Sequence, residues 1–245
     1  MRLLLLNANS SEGITDLVVS ASRPLAAPST ELVGVTARFG PRYIGTRAAY
    51  AIASHAVLDA YAAHGAGADA ILLACFGDPG LSALREISAV PVVGMAEAGC
   101  QAAVAGGGRF AIVTGGVRWI AMLTEYVAAL GLSDRLAGVH AVAPTGAEIA
   151  ANPEASVALL AGACRAAVKK SGADVVVLGG AGLAGIAAQV AGAVPFPVID
   201  GLAAAITAAE GMAARECSNP DRLQEPLPAV GLSPELQALL VEPRT

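Results

Sequence analysis

The 245-residue chain predicts an α/β fold of two similar Rossmann-like lobes, each built on a parallel sheet. Three observations carry this reading. Short uncharged apolar runs alternate with Ala-rich stretches of helical length, the pattern of parallel strands covered on both faces. The chain also matches itself at a nearly constant offset. Finally, 55% of positions are hydrophobic and 14% charged, ample apolar surface for a core, which excludes a disordered polymer.

The internal match has three parts. Gly67-Ala68-Asp69 leads into Ala70–Ala74 and then Cys75-Phe76-Gly77-Asp78-Pro79-Gly80, just as Gly172-Ala173-Asp174 leads into Val175–Gly179 and Gly180–Gly185. Val90–Gly94 matches Phe196–Asp200, and Arg2–Asn7 matches Arg109–Thr114. Two copies are too few for a solenoid. They describe two lobes related by a pseudo-two-fold, with residues 1–97 and 202–245 forming the first and 98–201 the second.

In chain order, the strands of the first lobe are expected at Leu3–Leu6, Leu32–Thr36, Ala70–Ala74 and Val92–Gly94. Those of the second are Phe110–Thr114, Val139–Val142, Val175–Leu178 and Val198–Asp200. Helices are expected at Thr46–His64, Ala96–Ala105, Trp119–Leu130, Glu154–Lys170 and Ala181–Ala193, with one more helix and a Pro-containing tail after Leu202. The uncharged stretch Val175–Ile199 is long enough to span a bilayer, but its glycines and prolines break it into strand, turn, helix and strand. Ligands of open α/β sheets bind beyond the carboxyl ends of the strands, so the loops there are the candidates for a shared cleft.

Composition narrows the partners. A formal charge of −5, with no basic run, argues against nucleic acid or an anionic membrane surface. Cys75, Cys100, Cys164 and Cys217 form no CxxC and read as reduced thiols of a cytoplasmic protein. The apolar run Leu3–Leu6 is too short for a signal peptide. His55, His64 and His140 have no partner at metal-ligand spacing, so no metal site is expected.

Cys75 ends a buried strand and opens a Gly-rich turn. Near the amino end of the following helix, a thiol would have its pKa lowered and could serve as nucleophile or proton carrier; a small buried hydrophobe is the alternative. Asn7, Asn9, Ser10 and Ser11, with Thr114-Gly115-Gly116 as their counterpart, offer groups to a carboxylate, ureide or oxyanion, and equally suit helix caps and turns. Gly180-Ala181-Gly182-Leu183-Ala184-Gly185 spells GxGxxG, and with Asp200 it outlines a dinucleotide site, though late in the fold.

Larger motifs carry a resemblance. Leu6-Asn7-Ala8-Asn9-Ser10-Ser11, Ala74-Cys75-Phe76-Gly77-Asp78-Pro79-Gly80-Leu81, Gly94-Met95-Ala96-Glu97-Ala98, the Thr114 loop and Gly179-Gly180-Ala181-Gly182-Leu183 occur in that order. Over residues 2–210 the chain resembles the aspartate/glutamate/hydantoin racemase superfamily, most closely its hydantoin and allantoin racemase branch. The first segment is similar to that branch's Asn-Pro-Asn-Thr-Ser loop, with Ala8 in place of Pro. The second is similar to its first cysteine motif, and the last to its second, Gly-Cys-Ala-Gly-Met.

The resemblance implies an enzyme without cofactor or metal, in which two cysteines flank the stereocentre of a small hydantoin- or amino-acid-like substrate. It places the first on Cys75. Gly180 stands where the second would be, as the internal repeat shows independently. Two-base racemization needs a proton carrier on each face. Another group or a water could serve the second face, the chemistry could be confined to one face, or Gly180 could be an introduced substitution or mark a non-catalytic binder. Arylmalonate decarboxylase, similar in fold, uses one cysteine at the second-motif position, so this chain would be its mirror arrangement. The resemblance further implies that Asn7, Ser10, Thr114 and the N–H groups around Phe76, Gly180 and Ala181 hold the substrate, with Gly77, Gly115 and Gly182 in the same loops. Pro41 and Tyr43 would shape the pocket, and the protein would be a homo-oligomer.

Overall fold

The computed structural model describes residues 1–215 and 225–241. The chain runs β1(Arg2–Asn7), α1(Glu12–Ser22), β2(Glu31–Thr36), α2(Arg47–His64), β3(Ala70–Leu73), α3(Leu81–Ile87), β4(Val92–Gly94) and α4(Met95–Ala105). It continues β5(Phe110–Gly115), α5(Trp119–Ala129), β6(Leu136–Val142), α6(Gly146–Ala151), α7(Pro153–Ser171), β7(Val175–Leu178), a 3₁₀ turn (Ala181–Leu183), α8(Ala187–Gly192), β8(Val198–Asp200), α9(Gly201–Ala213) and α10(Pro234–Val241). Two all-parallel four-stranded sheets result, ordered β2-β1-β3-β4 and β6-β5-β7-β8, so the order of the first sheet recurs in the second.

The repeat extends to individual hydrogen bonds. Asp69 Oδ2 accepts from the Arg2 amide at 2.6 Å, and Asp174 Oδ2 accepts from the Arg109 amide at 2.7 Å. Each aspartate amide donates in return to the carbonyl of that same arginine. The Gly-Ala-Asp matched in sequence is therefore a clasp that sets the start of the central strand in each lobe.

The helices α4 and α9 pack against each other between the lobes, and α9, although it follows β8, also lies on β3 and β4. The second sheet shows how the layers divide. Phe110, Ile112, Val175 and Val177 join the main core with β1, β3, α4 and α9, while Ala111, Val113, Val176 and Leu178 face a smaller core under α7 and α8. Strand side chains alternate between faces, so one apolar run serves both cores. At the carboxyl end, α10 packs on α2, where the Arg38 guanidinium bonds both oxygens of buried Asp59 and reaches Glu235.

All eight expected strands are present. Three helix expectations differ. The helix over Ala181–Ala193 is instead a 3₁₀ turn and a separate short α8, because Gly185 turns the chain with φ +83° between them. Helices α1 and α6 lie in stretches given no helix in the sequence reading, whereas α3 is the helix expected after the Cys75 turn. Two helices rather than one follow residue 200 among the described residues. No helix of the described residues is long and apolar enough to cross a membrane, and Val175–Ile199 is broken as its glycines and prolines imply. Cys75, Cys100 and Cys164 are buried free thiols, whereas Cys217 lies outside the described residues.

Candidate active site

Cys75 and Gly180 follow equivalent central strands, β3 and β7, and meet across the cleft between the lobes. Phe76 brings them together. Its ring, 3% exposed, lies so close to Gly179 that a Cβ there would sit 2.2 Å from it, and it also covers Gly201. A side chain at residue 179 would push the lobes apart at this point. The cleft is narrow, with a cavity volume of about 70 Å³, and is lined from both lobes. Larger hollows lie between α4 and α9 and at the amino end of β1, but no cysteine lines either.

Of the residues expected at the site, Tyr43, Cys75, Phe76, Thr114, Gly115, Gly180, Ala181 and Gly182 line the cleft. Asn7, Ser10, Pro41 and Gly77 do not. Asn7 Nδ2 donates to Asn9 Oδ1, the Ser11 carbonyl and Thr15 Oγ1, and Asn7 Oδ1 accepts from the Asn9 amide, so this side chain shapes the loop. Ser10 donates through its amide to the Pro41 carbonyl and through Oγ to the Gly40 carbonyl, tying two loops of the first lobe. Gly77 lies under the Trp119 ring, 2.5 Å from where a Cβ would stand.

The structure adds Asn9, Ile14, Arg42, Ile44, Trp119, Gly146, Ala147 and Leu183 to the lining. Trp119 is the chain's single tryptophan, a signal that could have marked it. Asn9 and Leu183 lie within the motifs quoted above, and the remaining ones come from helix starts and loops with no local motif. Tyr43 reaches across from the first lobe: its hydroxyl would lie 2.2 Å from a Cβ on Gly116, whose φ of +86° suits only glycine. Trp119 also hydrogen-bonds Tyr43, while partial burial raises the phenol's pKa.

The thiol differs from the electrostatic expectation. Burial, and secondly the charge of Asp78, hold the Cys75 pKa well above the usual thiol range. The short helix α3 begins only at Leu81, beyond Gly80, and does not offset this. Cys75 is therefore a protonated thiol in this state, suited to giving a proton. Asp78 itself, 1% exposed, is pushed up to about 7 by burial, against the pull of hydrogen bonds from Tyr126 and the Ala96 and Glu97 amides.

The opposite wall has no such group. Gly180 has φ +142°, a conformation that L side chains rarely adopt, and a Cβ there would meet Leu183 Cδ1 at 3.0 Å and Thr114 Oγ1 at 3.6 Å. Gly182 lies against the backbone of Gly146, 2.2 Å from carbonyl oxygen to Cβ position. Among the described residues, the Gly180, Ala181 and Gly182 amides have no hydrogen-bond acceptor. The dinucleotide outline is not realised: the glycines lead into a 3₁₀ turn, and the Asp200 carboxylate caps α9 through the Leu202 amide. Among the described residues no group of His, Cys, Asp and Glu is arranged to hold a metal ion.

Two lobes of matched parallel topology with a thiol lining the cleft between them define a two-lobed α/β protein with a site at the lobe interface. The model of the Asp/Glu/hydantoin racemase family matches residues 3–209, and the chain belongs to that family. It is 34% identical to a hydantoin racemase of Paenarthrobacter aurescens over 218 residues, 87% of this chain and 92% of that one. Its structure is similar to allantoin racemase from Pseudomonas fluorescens, with a TM-score of 0.89, 30% identity and coverage of 94% and 100%. Allantoin racemase from Klebsiella pneumoniae gives 0.88 at 31% identity, with 98% of each chain covered. Arylmalonate decarboxylase, at 18% identity and a TM-score of 0.62, shares the fold over 90% of this chain and 96% of that one.

Proposed function

We propose that the protein moves a proton at the carbon α to a carbonyl in a small hydantoin- or amino-acid-like molecule, without a cofactor and with Cys75 as the acid/base. The observation that carries this is the buried thiol that follows β3, lining with Gly180 and Thr114 one narrow cleft between the lobes. The carbon to be protonated would lie over Cys75. The unpartnered amides of Gly180, Ala181 and Gly182 would donate to the carbonyl oxygen as it gains charge, and preorganised donors of this kind stabilise an enolate effectively in a water-poor cleft. The Thr114 hydroxyl, near the Cβ position of Gly180, would hold a polar substituent or a water on the second face.

One observation supports a second reading, single-face protonation after loss of CO2 from a disubstituted malonate. The second wall carries glycine in place of a thiol, on a backbone of φ +142° that disfavours a side chain and with Leu183 Cδ1 3.0 Å from where a Cβ would stand. Proton NMR in D2O on a single-enantiomer hydantoin, with optical rotation followed on the same sample, separates the readings. Loss of the α-proton signal with rotation falling to zero supports racemization. Exchange with rotation retained supports one-base chemistry on the Cys75 face. No exchange on either hand, with CO2 released from an arylmalonate, overturns the hydantoin reading in favour of the decarboxylase.

A further inference from the structure

Asp78 is a buried carboxylate for which proton transfer by Cys75 alone leaves no part. It lies three residues beyond the thiol, and its amide donates to the Cys75 carbonyl at 2.9 Å. Its φ of +48° is the one positive value at a non-glycine among the described residues, and such a conformation persists only where the surroundings hold it. The holding groups come from three other elements. The Ala96 and Glu97 amides of α4 donate to Oδ1 and Oδ2 at 3.0 and 2.8 Å. The Tyr126 hydroxyl of α5, in the other lobe, donates to Oδ2 at 2.6 Å. The Tyr50 hydroxyl of α2 donates to the carbonyls of Gly77 and Asp78 at 2.9 and 3.3 Å. Gly94 completes the fit, since a Cβ there would stand 2.3 Å from Oδ2.

We propose that Asp78 is a positioning residue for Cys75: its carboxylate, clamped between the first turn of α4 and Tyr126 of the opposite lobe, fixes the loop that carries the thiol. When ionised, Asp78 also sets a negative charge near the thiol, which adds to the larger effect of burial on it. The inference rests on the reading of Cys75 as the proton carrier. Besides Cys75, the titratable and charged groups facing Asp78 are Tyr50 from α2, Arg85 from α3, Glu97 and Cys100 from α4, and Tyr126 from α5. Arg85, whose guanidinium feels the charge of Asp78, is paired with Glu97. A protonated thiol is the form that delivers a proton to an enolate, and a loop held from three sides keeps it aimed at one face.

The test is the pH dependence of Cys75 alkylation by iodoacetamide, followed peptide by peptide with mass spectrometry, in the wild type, Asp78→Asn and Tyr126→Phe. The rate reports the thiolate fraction without any turnover. Asp78→Asn is expected to lower the midpoint of the Cys75 profile by about one pH unit, equivalent to about tenfold more thiolate at a fixed pH below it. In turnover it should lower kcat more than it changes KM. Tyr126→Phe, which removes a donor that favours the ionised carboxylate, should move the midpoint the same way by less. Variants that melt at lower temperature but keep the wild-type midpoint would overturn the proposal and leave Asp78 a helix cap. Where Asp78→Asn does not fold, the Tyr126→Phe midpoint decides alone by the same rule. Full turnover by Cys75→Ser would instead remove the role of Cys75, a separate result that the alkylation profile cannot produce.

Discussion

The loop after β3 carries Cys75 and is held by side chains from elsewhere: Tyr50 from α2, Trp119 and Tyr126 from the second lobe. The loop after β7 carries Gly180 and is shaped by its own backbone, with φ +142° at Gly180 and a Leu183 amide bonded to the Gly180 carbonyl. The helices that follow show the same contrast. Helix α9 is capped by Asp200, the residue just before it, whereas α4 has Gly94 in that place and takes its cap from Asp78. Both lobes thus satisfy free amides at a helix start with a carboxylate. In the second lobe the cap is local. In the first it crosses from the loop of the thiol, and that loop is immobilised by it. The difference shows how one duplicated frame can tie down a thiol-bearing loop on one wall and leave the other wall without a side chain.

The largest expected effect is on the first loop. Cys75→Ser should lower α-proton exchange by about 10²–10⁴-fold, the range of a lost acid/base, with unfolding little changed. An exchange rate near that of the wild type would erase the functional contrast between the loops. On the second loop the effect falls on stability. Gly180→Ala should cost about 1–3 kcal/mol, because its φ is unsuited to a side chain. Adding Leu183→Ala should relieve crowding but not the backbone strain, a distinction that denaturant unfolding of the single and double variants reads directly.

A subtler contrast concerns pH. Burial raises Asp78 from the ordinary 3.8 to about 7. Between those values the folded chain holds a proton that the unfolded chain releases, so this group makes stability fall as pH rises through that window and level off above it. Urea unfolding across the window should show that slope in the wild type and a shallower one in Asp78→Asn. The smallest expected effect tests the symmetry itself. Asp69→Ala and Asp174→Ala remove equivalent clasps and should each cost about 1 kcal/mol. A large disparity between them would mean that the two lobes do not share the load of these contacts equally.

Much of this was legible in the sequence for a physical reason. A strand buried on both faces must be apolar throughout, so Leu3–Leu6 and Val175–Leu178 announce themselves without context. The internal match paired Cys75 with Gly180 because duplicated halves keep their loops in register. The stretch after Gly180 misled because Ala-rich composition favours a helix, while the decisive factor was a positive φ at Gly185 that composition does not show. Helix α1 lay hidden in a segment whose polar start reads as a loop.

The sequence by itself determined the strands, the duplication, the family and the residue at the head of each cleft loop, since these rest on local pattern and on register. Only the tertiary structure decided that Phe76 locks the lobes over Gly179, that Trp119 and Tyr43 meet across the cleft, and that the Cys75 thiol is held protonated rather than ionised. Those facts depend on which groups from distant segments share a dry space, where burial outweighs a short helix's dipole and a neighbouring carboxylate acts at close range.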